Sequence, residues 1–93
     1  MTAPLRPEPE QSWIDVTGGG MRLELSATIE GLRHDLVVVL ADERDDSLWV
    51  QLRAGKHDVQ IPLALLRSAL DAAATDVHSE AWFDRNLPPE STA

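Results

Sequence analysis

The sequence predicts an α+β domain: an antiparallel four- to five-stranded β-meander with one C-terminal helix packed on one face. Two observations carry this. Between Met21 and Ile61, apolar residues recur with a period of two in short runs separated by turn-forming residues, the pattern of half-buried strands joined by hairpins. From Pro62 the period lengthens to that of a helix, with Leu63, Leu66, Leu70 and Ala73 on one stripe and Arg67, Ser68 and Asp71 outside it.

Taken in order, Ser12–Thr17 reads as a short strand and Gly18-Gly19-Gly20 as a hairpin turn, where glycine's access to positive φ is useful. No Lys-Ser/Thr follows these glycines, so they are not a phosphate-binding loop. Met21–Ile29 alternates without a break, Met21, Leu23, Leu25, Ala27 and Ile29 on one side and Arg22, Glu24, Ser26 and Thr28 on the other. Glu30-Gly31-Leu32-Arg33 turns the chain. Leu36–Leu40 is apolar at every position and is expected to be a central strand covered on both faces. A charged turn at Asp42–Asp46 leads into the alternating run Leu48–Arg53, and Ala54-Gly55 is expected as a two-residue loop before Lys56–Ile61. Pro62 suits a first helical position, since it lacks the N–H that would go unbonded there. The helix weakens near Thr75–Asp76. A further short turn is expected over Ser79–Arg85, with Trp82 and Phe83 covering an edge of the core and His78 on the surface.

Residues opposite one another across a ladder share a face, so the turns imply a register. A loop at Ala54-Gly55 sets Leu52, Val50 and Leu48 opposite His57, Val59 and Ile61. A loop at Glu43-Arg44-Asp45 sets Leu36, Val38 and Leu40 opposite Leu52, Val50 and Leu48, and Ile29, Ala27 and Leu25 extend the same core face. The other face then displays Trp13, Val37, Val39 and Trp49 above polar residues such as Gln51, with Asp35 paired to Arg53. Exposed tryptophan beside valine, rimmed by polar groups, marks a contact surface. The cover for this face is left open between the chain's own Ser79–Phe83 segment or N-terminal tail, a second copy, and a different partner.

The 93 residues make one domain, expected over 12–85, between disordered tails at 1–11 and 86–93 whose proline-rich, polar composition cannot offset the entropy of ordering. Sixteen acidic residues against eight basic ones give a net charge of −8, which argues against binding to phosphate backbones or anionic lipid and permits binding to a basic protein surface. No cysteine, signal-like N-terminus or membrane-length apolar run is present, and a cytoplasmic location is expected.

Chemistry is sparsely signalled. His34-Asp35 and His57-Asp58 fall near one end of the sheet, but neighbours in a strand project to opposite faces, so neither pair converges. The Asp42–Asp46 run lacks the glycine and distal glutamate of a calcium loop. No catalytic residue, metal site or cofactor is expected. The order of strands and the run Val59-Gln60-Ile61-Pro62 into a helix loosely resemble the single-stranded-DNA-binding modules of the transcriptional-coactivator and Whirly type. That resemblance implies a dimer and a sheet displaying basic and aromatic residues; here Arg22, Arg53 and Lys56 are set against Glu24, Glu30, Asp35 and Asp58.

The expectation is a small acidic, non-enzymatic interaction protein. An inhibitor, immunity or anti-defence protein that binds a basic, nucleic-acid-binding protein fits it. The partner-binding residues would be Trp13, Val37, Val39, Trp49 and Gln51 on the sheet, with Asp42, Glu43, Asp45 and Asp46 in the acidic turn. The alternatives are a homodimeric regulatory or structural domain joined through the outer sheet face and, third, a single-stranded-nucleic-acid-binding module.

Overall fold

In the computed structural model, which describes residues 3–16 and 20–86, one antiparallel sheet of five strands in sequential order is followed by two helices. The strands are β1 (Glu10–Val16), β2 (Gly20–Ile29), β3 (Leu32–Ala41), β4 (Leu48–Ala54) and β5 (His57–Pro62); the helices are α1 (Leu63–Asp76) and α2 (Glu80–Asn86). The α+β class and the meander agree with the sequence pattern. β1 begins two residues before the expected start at Ser12. Two of the three turn glycines, Gly18 and Gly19, and the tail 87–93 lie outside the described residues; Gly20 pairs with Val16.

The turns explain the pairing. Ile29 pairs with Leu32, so the loop is Glu30-Gly31 alone, with φ of 52° and 80°. Positive φ at both central positions matches the right-handed twist of the flanking strands, and glycine at the second position makes this inexpensive. Ala54 pairs with His57, moving the last loop to Gly55-Lys56, with Gly55 at φ 62°. That is a shift of two in the pairing, so Val50 and Leu52 now oppose Ile61 and Val59 and the face is unchanged. The β3–β4 loop is longer than expected. Ala41 pairs with Leu48, and residues 42–47 close on themselves through Asp42 N–H to the Ser47 carbonyl and Asp46 N–H to the Asp42 carbonyl, both 2.8 Å.

β3 departs from the expected register, and a bulge is the cause. Near its turn, Ala27 pairs with His34 and Ser26 with Asp35; beyond it, Leu25 pairs with Val37 and Leu23 with Val39. Leu36 is the extra residue. One inserted residue reverses which side chains of the following strand face which way. Val37, Val39 and Ala41 therefore occupy the face expected for Leu36, Val38 and Leu40. The central row reads Trp13–Leu23–Val39–Val50–Ile61; behind it Ile14 opposes Arg22, and Trp49 stands between Leu40 and Pro62.

Pro62 ends β5 opposite Trp49 and stands immediately before α1, with an extended ψ of 131°, instead of opening the helix. α1 packs with β4 and β5, yet none of its residues is buried, no side chain caps its N-terminus, and its first turn lacks acids. The expected single helix covering a sheet face is thus not what this chain builds. In α2, Trp82 stacks on His78 with ring centroids 3.6 Å apart, and Phe83 meets both rings edge-on. Trp82 and Phe83 thus pack on His78 instead of an edge of the core, while His78 follows α1 without being buried and donates from Nε2 to the Thr75 carbonyl at 2.9 Å.

The buried apolar residues among those described are Ala27 and Val50 alone, each 2% exposed. The radius of gyration is 18.5 Å, against about 12 Å for a compact chain of this length. A single sheet layer with helices at one end is the reason.

Candidate functional site: a cleft between the acidic loop and Trp49

The loop after β3 is built by its own acids. Asp42 accepts from the Arg44 backbone N–H (2.8 Å) and from Arg44 Nε and Nη2 (both 3.3 Å). The side-chain bond from Arg44, followed by its backbone N–H, lowers the Asp42 pKa from its ordinary value, and the same side-chain bond, followed by the Asp42 charge, raises that of Arg44. Asp45 Oδ1 accepts from the Ser47 N–H (3.0 Å) and the Ser47 hydroxyl (2.6 Å). Asx-type bonds of this kind make the loop a defined shape. Asp46 takes up a φ of 61°, in the left-handed region that Asp tolerates better than most residues.

The same serine reaches the sheet. Having donated its proton to Asp45, the Ser47 hydroxyl accepts the Trp49 indole N–H at 2.8 Å. The relay ties a half-buried tryptophan to the acidic loop. Leu40 lies opposite Trp49, and an open cleft of about 970 Å³ runs between them and the loop, lined by Met21, Arg22, Glu43, Asp46 and Gln60. Arg22 is held by Glu24 at 2.8 Å, and Glu24 is nearly buried. On the same sheet face Gln51 accepts from Gln60 at 3.0 Å, and Arg53 pairs with Asp58 at 3.3 Å, not with Asp35.

The structure therefore divides the residues singled out from sequence. Trp49, Gln51, Asp42, Glu43, Asp45 and Asp46 come together on one side. Trp13, Val37 and Val39 lie on the opposite face with Val50, so the single surface bearing both tryptophans does not exist. Arg22, Leu40 and Ser47 were missed. Ser47 could have been found as the residue two after Asp45 and two before Trp49; Leu40 could not, because its place depends on the bulge and on the length of the 42–47 loop. Asp42 and Asp45 bond within the loop, and Glu43 and Asp46 are the exposed carboxylates without side-chain bonds there.

Among the described residues, no three His, Asp or Glu side chains are grouped to hold a metal ion, and no helix is long and apolar enough to cross a membrane. Comparison with known protein families, curated proteins and solved structures finds no match to this chain. The resemblance to coactivator and Whirly modules thus rests on strand and helix order.

Proposed function

We propose that this chain is a small, non-enzymatic interaction protein that binds a basic surface of another protein through the cleft between the acidic loop and Trp49. It would act as an inhibitor or immunity-type protein does, by occupying a surface its partner uses for another anion. The observation that supports the reading is the Asp45–Ser47–Trp49 relay, which holds an indole face beside the outward carboxylates of Glu43 and Asp46. An arginine or lysine entering there meets an aromatic face and two acids at once, combining cation–π attraction with charge-assisted hydrogen bonds. The same carboxylates disfavour a phosphate backbone at Trp49, which sets the single-stranded-nucleic-acid reading behind this one.

The test is a tryptophan-fluorescence titration with an arginine-rich nonapeptide and, separately, with oligo-dT. Glu43→Gln/Asp46→Asn should weaken peptide binding about tenfold or more and flatten its salt dependence. The charge-matched control Glu80→Gln/Asp84→Asn in α2 should not. Equal weakening in both variants would reduce the effect to net charge, and tighter binding of oligo-dT than of the peptide would refute the proposal.

A further inference from the structure

The face opposite the cleft has a different character. Met21, Leu23, Leu25 and Ala27 of β2 share it with Val37, Val39 and Ala41 of β3, Leu48, Val50 and Leu52 of β4, and Val59 and Ile61 of β5. No charged residue stands among these positions; β1 adds Trp13 opposite Leu23 and, at the edge, Asp15 opposite Met21. A face this apolar normally forms the core of a small domain. Here it does not, because Trp13 is 64% exposed, Met21 57% and Leu48 50%. α1 packs with β4 and β5, leaving β1–β3 without comparable cover.

The geometry points to a second copy of this chain as the cover, in a dimer that joins the two apolar faces. Three arguments favour a copy over another protein. First, a sheet with two buried apolar residues and an uncapped, unburied helix of 14 residues lacks the burial to offset its own ordering, and an isolated helix of that length is marginal in water. The cover must therefore be present whenever the chain is folded, and a second copy always is. Second, the chain carries −8, yet the β2–β5 positions of this face hold no carboxylate, and Asp15 of the edge strand β1, opposite Met21, is the acid that borders it. Two copies can join through β2–β5 with Asp15 left at the rim, whereas a basic partner would find that one carboxylate alone to pair with. Third, the area suffices. Trp13, Met21, Leu48 and Val59 are 40–64% exposed and present on the order of 400 Å² of apolar side chain. Their half-buried neighbours on β2 and β3 bring this toward the roughly 800 Å² per partner of a standard interface. A two-fold axis needs only this one self-complementary patch.

The dimer leaves the acidic loop and Trp49 outward; Met21 borders the cleft as well as the apolar face, so Leu48→Lys, away from the cleft, tests the dimer independently of the function proposed above. Its test is sedimentation equilibrium of the full chain from about 1 to 100 µM, with urea unfolding at both ends of that range. The expected result is twice the 10.2 kDa chain mass and an unfolding midpoint that rises with concentration. Met21→Lys and Leu48→Lys replace side chains open in the single chain and should weaken association about 30-fold or more, while Gln60→Lys, on the other face with the same charge change, should leave it intact. Trp13 gives a second readout: with Trp49→Phe and Trp82→Phe in place it is the sole indole, and its emission should shift to the blue as the dimer forms. A folded monomer throughout with a concentration-independent midpoint overturns the inference. So does a dimer that survives both lysines on the apolar face, or a Trp13 emission that stays red in the assembled species.

Discussion

The Asp45–Ser47–Trp49 relay predicts a measurable energetic coupling between the loop and the sheet. Ser47→Ala removes two bonds, one to a carboxylate at 2.6 Å and one from the indole at 2.8 Å. A neutral hydrogen bond contributes roughly 0.5–1.5 kcal/mol net, and the carboxylate bond is discounted toward the low end because it is exposed. Ser47→Ala should therefore cost about 1–1.5 kcal/mol, part of it from a half-buried indole N–H left without its acceptor. Trp49→Phe removes the indole bond and some buried ring, for a similar total. The double variant should cost about 0.5–1 kcal/mol less than the sum, since the shared bond can be lost only once. Urea unfolding followed by far-UV circular dichroism, at one fixed protein concentration, reads all four chains without depending on the tryptophan signal. For a chain of this size each kcal/mol is worth about 4–8 °C in melting midpoint, so the single substitutions are well resolved. Strict additivity would mean that the two residues do not interact in solution, and the site built around the relay would go with it.

Three further outcomes are expected. Ser26 is 1% exposed and its hydroxyl has no hydrogen-bond partner among the described residues, so Ser26→Ala should be neutral or stabilise by up to about 1 kcal/mol in the same unfolding assay; a loss of more than that would show that the hydroxyl is bonded. Glu30 sits at φ 52° before Gly31, so Glu30→Asn, which makes the preferred Asn-Gly turn, should stabilise by about 0.5–1 kcal/mol, while Gly31→Ala, at φ 80° with open space around it, should destabilise by about 1 kcal/mol through backbone strain alone. The Asp42 pKa is lowered in the folded chain, first by the Arg44 side chain, so the stability it contributes is present above its ordinary value of 3.8 and is lost as pH falls through the folded value. The melting difference between wild type and Asp42→Asn should accordingly close as pH drops below that range, and a difference that stays constant from neutral pH to pH 3 would exclude the ion pair as its source.

The sequence by itself determined the local structure. The alternation of Met21–Ile29 and of Leu48–Arg53, and the glycines at 31 and 55, decided that there are strands and where hairpins fall, because periodicity and turn chemistry act over a few residues. The stripe Leu63–Leu66–Leu70–Ala73 likewise declared a helix, and Asp42–Asp46 an acidic loop. The side on which β3 displays its residues was not legible. Leu36–Leu40 is apolar at every position, so either register satisfies the pattern, and the bulge at Leu36 decided between them by inserting one residue. That residue turned Val37 and Val39 toward the face of Leu23 and Leu25, and the six-residue loop 42–47 set Leu40 opposite Trp49, which with Arg22 makes the cleft. Exposure was equally beyond the sequence. An apolar face reads the same whether or not its own helix covers it, and only the fold shows that α1 lies at the β4–β5 end and leaves Trp13 in the open.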